Sequence, residues 1–427
     1  MIHLAKDLQA RTGARKLCVS GGVGLNSVTN KLILDHTDFE DIFIFPACSD
    51  AGIPYGLALW GYYNLAELGD FPRKRFRLDH AYTGRPYPAS EVKAMLDRHD
   101  VPSTPLDLDA VAAHIAEGKI IGWHQGGSEY GPRALGHRSI LADSRRAEMR
   151  DHVNIRVKHR ETYRPFAPAV LAEAAGEYFD LEGESPFMLL VSEVRKPDAV
   201  PAVTHVDNTA RVQTVTPEVN GVFHDLVAAF GRLTGVPCLM NTSFNDAGEP
   251  IVETPEDSLI CFLGTDMDVL VIEDRVVDIR DVEDRDGVLA RLRAERAERI
   301  ETREAALRAR FFPDADPAEA ERFIAEQNRL AEWHAKYRSK YELEKKVLEW
   351  TEAGARVLIV GTPDHTALLP AHVTGFGYLD VVGFAPHGDK VDREAGVAAP
   401  YPTVDPDALD ADAFDVVLVS SFEYNFV

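Results

Sequence analysis

Two short apolar runs near the start of the chain constrain the fold most, because each leads through a glycine-containing turn into a helix-like stretch. Lys16–Ser20 ends at Gly21-Gly22, and Ile42–Phe45 leads through Ser49–Gly52 into the apolar stretch PYGLALWGYYNLAEL. This order predicts α/β layers with chemistry at the carboxyl ends of the strands. Two such units do not close a domain, so we expect the rest to be missing or supplied by a partner chain.

Composition indicates an ordinary folded protein and excludes several functional classes. The chain has 427 residues, of which 45% are hydrophobic and 27% charged, which predicts about three domains. A net charge of −23 opposes general binding to nucleic acid or to an anionic membrane. The four cysteines form no CxxC pair, and there is neither a secretory signal nor an 18-residue apolar span. We therefore expect a cytoplasmic protein without a disulfide scaffold or a membrane segment.

Changes in pattern divide the chain into five segments. Residues 1–70 carry the α/β pattern, 71–106 form a Pro-rich, irregular linker, and 107–280 form a mixed α+β domain. Residues 281–352 place Glu and Arg or Lys three and four positions apart, which is typical of a solvated helical linker. Residues 353–427 begin with RVLIV and contain two further strand-like runs, Leu379–Phe384 and Phe414–Ser420, which predicts a truncated, doubly wound domain without a GxGxxG motif.

Local signals within 107–280 predict several elements. The signals are apolar spacing, short apolar runs and a helix N-cap sequence at Thr254–Asp257. They predict helices at Asp109–Glu117 and Val222–Leu233, strands at Lys119–Trp123 and Val236–Met240, and a hairpin whose strands Val269–Ile272 and Val276–Val277 flank Asp274-Arg275.

Cations concentrate in the stretch Gln125–Arg164. From Arg133 to Arg164 there are eight arginines and one lysine against four acids. Guanidinium groups bind phosphate oxygens in pairs, and Gly126, Gly127 and Gly131 let backbone amides approach an anion. This pattern favours a phosphate-rich pocket, although a salt-bridged surface and an RNA-binding patch remain alternatives from composition alone.

Three further stretches are candidate sites, each with an ordinary structural alternative. Asn241–Asn245 (NTSFN) follows an apolar run and suits hydrogen bonding to a polar ligand, or else forms a self-satisfied turn. Gly21–Asn26 (GGVGLN) suits an anion or nucleotide, or else is a plain turn. Asp50 suits a hard metal ion, or else caps a helix. No HExxH or GxSxG motif occurs, which disfavours zinc-protease and serine-hydrolase chemistry.

The motifs EYGPRALGHRSILAD, VKHRETYRPFAPAVL, RVQTV and NTSFNDAGEPIV occur in this order. Over residues 1–280 the sequence resembles the O-carbamoyltransferases of nodulation-factor and antibiotic biosynthesis. GGVGLN and SDAGIPYGLAL resemble the second half of that family's N-terminal domain, which has the ASKHA (actin-like ATPase) fold. Residues 107–280 are similar to YrdC-type threonylcarbamoyl-adenylate synthases, and 353–427 are weakly similar to small Rossmann domains.

The resemblance implies a two-step reaction. Carbamoyl phosphate and ATP yield carbamoyladenylate in the YrdC-like domain, with loss of phosphate and pyrophosphate, and the ASKHA domain passes the carbamoyl group to a hydroxyl. It also implies Mg²⁺ with the ATP, a second divalent metal (iron) in the ASKHA half, and a sugar or natural product as acceptor. A tRNA-modifying threonylcarbamoyl-adenylate enzyme and a nucleotide-binding scaffold without turnover are the alternatives.

The resemblance assigns roles residue by residue. Lys158 and Arg160 resemble the Lys-x-Arg of the YrdC fold, Ser243 and Asn245 resemble its Ser-x-Asn, and Asp50 corresponds to a metal ligand. The implied catalytic residues are Arg133, Arg138, Lys158, Arg160 and Arg164. The implied substrate- and nucleotide-binding residues are Ser139, Arg211, Asn241, Thr242, Ser243, Asn245, Gly21, Gly22 and Asn26. The family's other metal ligands are absent here, so we expect adenylate formation without unaided transfer.

Overall fold

The computed structural model describes residues 1–65, 78–181, 183–311, 347, 350–351, 353–361, 380–386 and 416–420. The chain divides into two units, one of Met1–Val153 with Tyr163–Ala306, the other of Asn154–Thr162 with Leu307–Val427. Much of the predicted linker 281–352 and of the predicted domain 353–427 therefore lies outside the described residues.

The N-terminal elements follow the predicted order of strand, turn and helix. They are α1 (Ile2–Thr12), β1 (Lys16–Val19), α2 (Ser27–His36), β2 (Asp41–Ile44) and α3 (Ile53–Asn64). Strands β1 and β2 pair in parallel, and the 3₁₀ turns Gly22–Leu25 and Asp50–Gly52 come after their carboxyl ends. Both candidate turns therefore lie at one edge of a parallel pair, as the sequence predicted.

Residues 78–311, apart from Asn154–Thr162 and the last five residues, form most of the first unit. Their elements are α4 (Ala89–Arg98), β3 (Thr104–Pro105), α5 (Leu108–Ala116), β4 (Ile121–His124), β5 (Arg138–Asp143), α6 (Glu148–His152), β6 (Ala167–Leu171), α7 (Ala175–Tyr178), β7 (Ser192–Glu193), β8 (Thr209–Ala210), β9 (Gln213–Val215), α8 (Gly221–Thr234), β10 (Cys238–Ser243), α9 (Pro255–Gly264), β11 (Val269–Ile272), β12 (Arg275–Asp278) and α10 (Arg285–Phe311). A π-helical turn spans Val153–Val157.

A mixed sheet organises this part of the first unit. Among the described residues it has eight strands in the order β3-β12-β11-β4-β5-β10-β6-β9. Strand β4 is parallel to β11 and antiparallel to β5, while β10 is antiparallel to both β5 and β6. The two central strands β5 and β10 carry most of the candidate site residues.

Helices α5 and α8 bury their apolar faces against this sheet. Phe223, Leu226 and Phe230 of α8 are fully buried with Trp123 of β4 in one hydrophobic cluster. The helical spacing predicted α8 correctly, although its terminal apolar residues Val222 and Leu233 are exposed. Successive side chains of a strand alternate between faces, so His124, which bonds to Ser258 of α9, places α9 on the other face.

The predicted linker 71–106 is not irregular throughout, because it contains helix α4 and strand β3. Pro88 stands at the N-cap, and Val92, Met95 and Leu96 are buried on one face of α4. Their spacing of three and four residues fits a helix, whereas the prolines on either side favoured an irregular segment. The prolines therefore lie outside α4 and do not prevent the residues between them from forming a helix.

Two strand boundaries also differ from the prediction. Strand β10 runs on to Ser243, so Asn241, Thr242 and Ser243 lie within the strand rather than after it. The β11–β12 hairpin turns at Glu273-Asp274, one residue earlier than predicted, and Arg275 pairs with Ile272. Antiparallel pairing to β5 extends β10, because Ser243 pairs with Ser139.

In the second unit, three described strands form a parallel sheet. They are β13 (Arg356–Gly361), β14 (Asp380–Pro386) and β15 (Val416–Ser420), in the order β14-β13-β15. These three predicted strands are confirmed, and a central first strand between parallel neighbours is the arrangement of doubly wound sheets. Within the described part of the chain, no helix is long and apolar enough to cross a membrane.

Candidate active site

Arg138 is a fully buried clamp at the start of β5. All five of its hydrogen bonds go to main-chain carbonyls, among them Gln125 at 2.8 Å, Gly126 at 3.0 Å and Glu253 at 3.1 Å. Its guanidinium has five donors, so each is occupied. Arg138 therefore fixes the glycine-containing loop that follows β4, instead of presenting its charge to a ligand.

Glu129 organises the loop between β4 and β5 from inside. Its Oε1 accepts hydrogen bonds from the amides of Leu135 (2.7 Å) and His137 (2.9 Å). Burial raises the pKa of Glu129, while those amides and the nearby Arg138 oppose the rise. Its Oε2 atom is buried without a hydrogen-bond partner among the described residues. Sequence reasoning missed Glu129, although it stands inside the quoted EYGPRALG motif.

Asn241 joins three of the predicted motifs. Its Nδ2 donates to Oε1 of Gln213 (2.8 Å) and to the carbonyl of Ala134 (3.2 Å). Gln213 in turn donates to the carbonyl of Leu135 at 2.7 Å. NTSFN, RVQTV and PRALG thus converge on one buried polar network. Gln213 was not among the predicted site residues, although the RVQTV motif contains it.

A cleft opens beside this network. It is small, with a volume of about 30 Å³, and is lined by residues that include His80, Tyr82, Gln213 and Asn220. The ring of Tyr82 stacks on His137 with centroids 3.6 Å apart and lies against His80 at 5.5 Å. Burial lowers the pKa of His137 to about 4, so this imidazole is neutral at pH 7.

The other candidate residues of β5 and β10 form hydrogen bonds mostly within the protein. Ser139 is fully buried, and its hydroxyl accepts from the amide of Gly136 at 3.1 Å. Ser243 donates to Oδ1 of Asn245 at 2.6 Å, and Asn245 donates to the carbonyl of Glu249. Thr242 is half-buried. These hydrogen bonds of Ser243 and Asn245 are those expected of a self-satisfied turn. The binding role of both residues stays a prediction.

The Gly21–Asn26 turn is held by the backbone and by α2. Gly21 has a φ of 97°, which favours glycine, and its amide donates to the carbonyl of Cys48 at 2.7 Å. Asn26 is the N-cap of α2, since its side chain accepts from the amide of Thr29 at 3.0 Å. No atom lies within 4 Å of the position that a Cβ would take at Gly21 or Gly22, so one side of this turn is open.

Asp50 begins the second turn and is exposed. It caps no helix, because the preceding Ser49 is the N-cap of the turn. No group of three or more His, Cys, Asp or Glu side chains suited to a metal ion occurs among the described residues. A lone carboxylate does not make a metal site, so the described residues do not hold the expected iron, and the ligand role of Asp50 stays a prediction.

Arg133 reaches toward the N-terminal segment. Its Nη2 donates to the carbonyl of Leu25 at 3.3 Å, while its Nε is buried without a partner in the described part of the chain. Next to it, the hydroxyl of Tyr130 donates to the carbonyl of Ala51 at 2.5 Å. The YGPR segment therefore packs on both candidate turns of residues 1–65.

Three arginines of the stretch Arg133–Arg164 pair with acids of the protein, so the expected phosphate pocket is wrong for these three. Arg145 binds both oxygens of the buried Asp143. Arg146 contacts the same carboxylate and the carbonyl of Ala116, while Arg150 pairs with Asp151 at the surface. The salt-bridge alternative is correct for these three arginines, because a neighbouring acid neutralises each.

The remaining predicted cations fall into different units. Lys158 and Arg160 belong to the segment Asn154–Thr162 of the second unit. Within that segment Lys158 is buried and Nε of Arg160 donates to Oδ1 of Asn154 at 2.7 Å. Arg164 is exposed and Arg211 half-buried in the first unit. The convergence of these four on a phosphate stays a prediction.

Two family models match the chain. The carbamoyltransferase N-terminus model matches residues 1–59, and the carbamoyltransferase C-terminus model matches residues 112–278. Together they cover more than half of the chain, and they meet in space where the YGPR segment packs on the turns after β1 and β2. The chain belongs to the carbamoyltransferase family.

Similar curated proteins include members of that family. Nodulation protein NolO of Bradyrhizobium diazoefficiens is 43% identical over 282 residues, which cover 64% of this chain and 51% of that protein. The 3'-hydroxymethylcephem-O-carbamoyltransferase of Streptomyces clavuligerus is 37% identical over 245 residues, covering 56% of this chain and 44% of that protein. An uncharacterized protein of Synechocystis is 40% identical over 305 residues, covering 65% and 50%. The chain thus spans about half the length of the curated relatives that it matches.

Proposed function

We propose that this chain acts in O-carbamoyl transfer, forming carbamoyladenylate from carbamoyl phosphate and ATP, after which the carbamoyl group passes to a hydroxyl of a sugar or natural product. The observation that carries this proposal is the match of both carbamoyltransferase models within one chain. The similarity to the cephem O-carbamoyltransferase supports a hydroxyl acceptor. The ASKHA-like, YrdC-like and Rossmann-like assignments of the segments are part of the proposal.

The first step needs water as well as the two substrates. Hydrolysis of carbamoyl phosphate releases phosphate and leaves carbamate. A carbamate oxygen then bonds to the α-phosphorus of ATP, supplied as its Mg²⁺ complex, and the bond to the β-phosphate breaks to release pyrophosphate. The negative charge that develops on the phosphoryl oxygens is stabilised by fixed cations and amide donors.

The cationic side chains that we assign to this step are Lys158, Arg160, Arg164 and Arg211. The adenylate would lie beside the Asn241 network, and Ser139, Thr242, Ser243 and Asn245 would orient it. The buried clamp Arg138 supports this assignment indirectly, because it holds the loop carbonyls of Gln125 and Gly126 in one geometry. Its own role is to position that loop.

The transfer step is assigned to the N-terminal segment. Gly21, Gly22 and Asn26 would lie along the nucleotide, and Asp50 would stand beside the acceptor. We include a partner chain in the proposal, with the apolar side chains of α3 as the surface that it would cover. Ile53, Leu57 and Trp60, spaced three and four residues apart, are more than half exposed, and contiguous exposed apolar groups are typical of interaction surfaces.

Adenylate formation is tested with the full chain, Mg²⁺, ATP and carbamoyl phosphate, followed by mass spectrometry. We expect carbamoyladenylate, and Arg160→Ala should slow its formation at least ~100-fold, the scale for loss of one preorganised donor. Arg150→Ala is the matched control, because Arg150 lies in a surface ion pair with Asp151. Threonylcarbamoyl-adenylate from L-threonine and bicarbonate would favour tRNA modification, and nucleotide binding without any adenylate would favour a scaffold.

The acceptor step is tested separately, by supplying carbamoyladenylate, the partner fraction and hydroxyl-bearing sugars. Asp50→Ala should spare adenylate formation and abolish carbamoylation of the acceptor. Loss of both steps in this variant would contradict the division of labour between the two segments.

A further inference from the structure

We infer that Arg133 supplies the positive charge of an anion site at the Gly21–Leu25 turn, where it takes a phosphoryl group. This inference rests on the proposed function for its ligand, a nucleotide or its phosphate product. It moves Arg133 from the adenylate-forming domain, to which its motif belongs, to the N-terminal segment, which its side chain contacts.

The guanidinium of Arg133 is directed at this turn and is not fully used. One long hydrogen bond, 3.3 Å from Nη2 to the carbonyl of Leu25, is its contact with protein oxygen in the described residues. Its Nε is buried without a partner there. Because this atom is closed off from solvent, an incoming oxygen atom would meet the Nη groups, whose hydrogen bond to Leu25 is long.

No carboxylate neutralises this charge among the described residues. The nearby titratable group is Cys48, and burial raises the pKa of its thiol, so the thiol is neutral at pH 7. Arg145, by contrast, faces both oxygens of Asp143. A partly buried cation without a counter-charge destabilises the fold. A phosphoryl anion would neutralise the charge of Arg133 and could bind in the bidentate geometry that guanidinium favours.

The turn leaves room for that anion. The Cβ positions of Gly21 and Gly22 have no neighbour within 4 Å, whereas at Gly24 a Cβ would lie 2.9 Å from Sγ of Cys48. The tight side of the turn therefore faces Cys48, and the open side lies at Gly21 and Gly22. Asn30 holds this shape, because its Nδ2 donates to the carbonyls of both Gly24 (2.8 Å) and Leu189 (2.9 Å).

The test measures binding, by titration calorimetry of the full chain with inorganic phosphate, pyrophosphate and AMP in separate experiments. Arg133→Gln removes the charge, and Gly22→Leu fills the open side at a position of ordinary backbone conformation. Arg150→Gln is the control that removes a half-buried arginine elsewhere, which pairs with Asp151 at the surface. Comparison of the three ligands shows whether free phosphate or a nucleotide phosphate is preferred.

We expect Arg133→Gln and Gly22→Leu each to weaken binding of at least one of these ligands more than 10-fold, and the double variant to lose little more, since both act on one site. Arg150→Gln should bind as the wild type does. Unchanged binding in Arg133→Gln, or losses that simply add in the double variant, would overturn the inference.

Two controls keep the outcome interpretable. Arg133→Lys retains the charge and should bind more tightly than Arg133→Gln, which excludes misfolding as the cause of the loss. Wild-type chain is assayed for carbamoyladenylate in parallel. If it forms none while phosphate binding still depends on Arg133, the proposed function fails and the site stands. If it forms adenylate while Arg133→Gln binds phosphate normally, the site fails alone.

Discussion

The side-chain amide of Asn241 in β10 donates a 2.8 Å hydrogen bond to Gln213 in β9, across the intervening strand β6. Through Gln213 the same network reaches the carbonyl of Leu135. Two motifs 28 residues apart and the PRALG loop are thereby held in one arrangement beside the cleft.

Truncation of Asn241 should destabilise the fold. Asn241→Ala strands Oε1 of Gln213 and the carbonyl of Ala134 without their donor, and a buried polar group left unpaired costs about 1–3 kcal/mol. Urea unfolding measures the loss. Thr242→Ala is the control, because its side chain points to the opposite face of β10. Equal losses in the two variants would contradict the importance of this network.

Arg138→Lys should destabilise the protein strongly, although it conserves charge. A lysine ammonium has three donors and cannot reproduce the planar fork that binds the carbonyls of Gln125, Gly126 and Glu253. We expect a loss of about 3–5 kcal/mol in the free energy of unfolding, as for other disrupted buried charges. Wild-type stability with slow adenylate formation would instead mean that Arg138 acts on the substrate.

Stability should depend on pH through His137. Its pKa in the folded protein is about 4, below the usual 6.5, so the unfolded chain binds more protons between these values. The contribution of His137 is therefore fully present above pH 6.5 and lost as the pH falls through about 4, a change of about 3 kcal/mol.

The check on His137 is the difference in unfolding free energy between wild type and His137→Gln, measured from pH 7.5 to 4. The difference should shrink as the pH falls, because the variant cannot take up the proton. A difference independent of pH would show that this imidazole is not held neutral by burial.

Glycine at position 52 should be required, whereas glycine at position 56 should not. A Cβ at Gly52 would overlap the carbonyl oxygen of Ala47, while one at Gly56 in α3 meets no atom within 4 Å. We expect Gly52→Ala to destabilise the protein by about 1–3 kcal/mol and Gly56→Ala to stabilise it by about 0.5–1 kcal/mol. Thermal unfolding of both variants measures this. Equal effects would contradict the close approach at Gly52.

Local signals in the sequence were sufficient to predict elements that are specified by residues a few positions apart. The apolar spacing of α8 and the capping sequence Thr254–Asp257 predicted their helices, and the capping box is present. These features follow from periodicity and from hydrogen bonds between residues a few positions apart.

The roles of the arginines could not be predicted in the same way. Arg138 and Arg145 have the same chemistry, yet one is satisfied by the carbonyl of Glu253, 115 residues away, and the other by Asp143. Which oxygen lies near a guanidinium depends on strand pairing, as between β5 and β10. Composition therefore located the cations but overestimated how many remain for a ligand.

The most direct test of the account is pyrophosphate release by the full chain with Mg²⁺ and ATP, measured with and without carbamoyl phosphate. The account predicts release only when carbamoyl phosphate is present, with one carbamoyladenylate formed for each pyrophosphate. Release at the same rate without carbamoyl phosphate, or no release although both substrates bind, would contradict it.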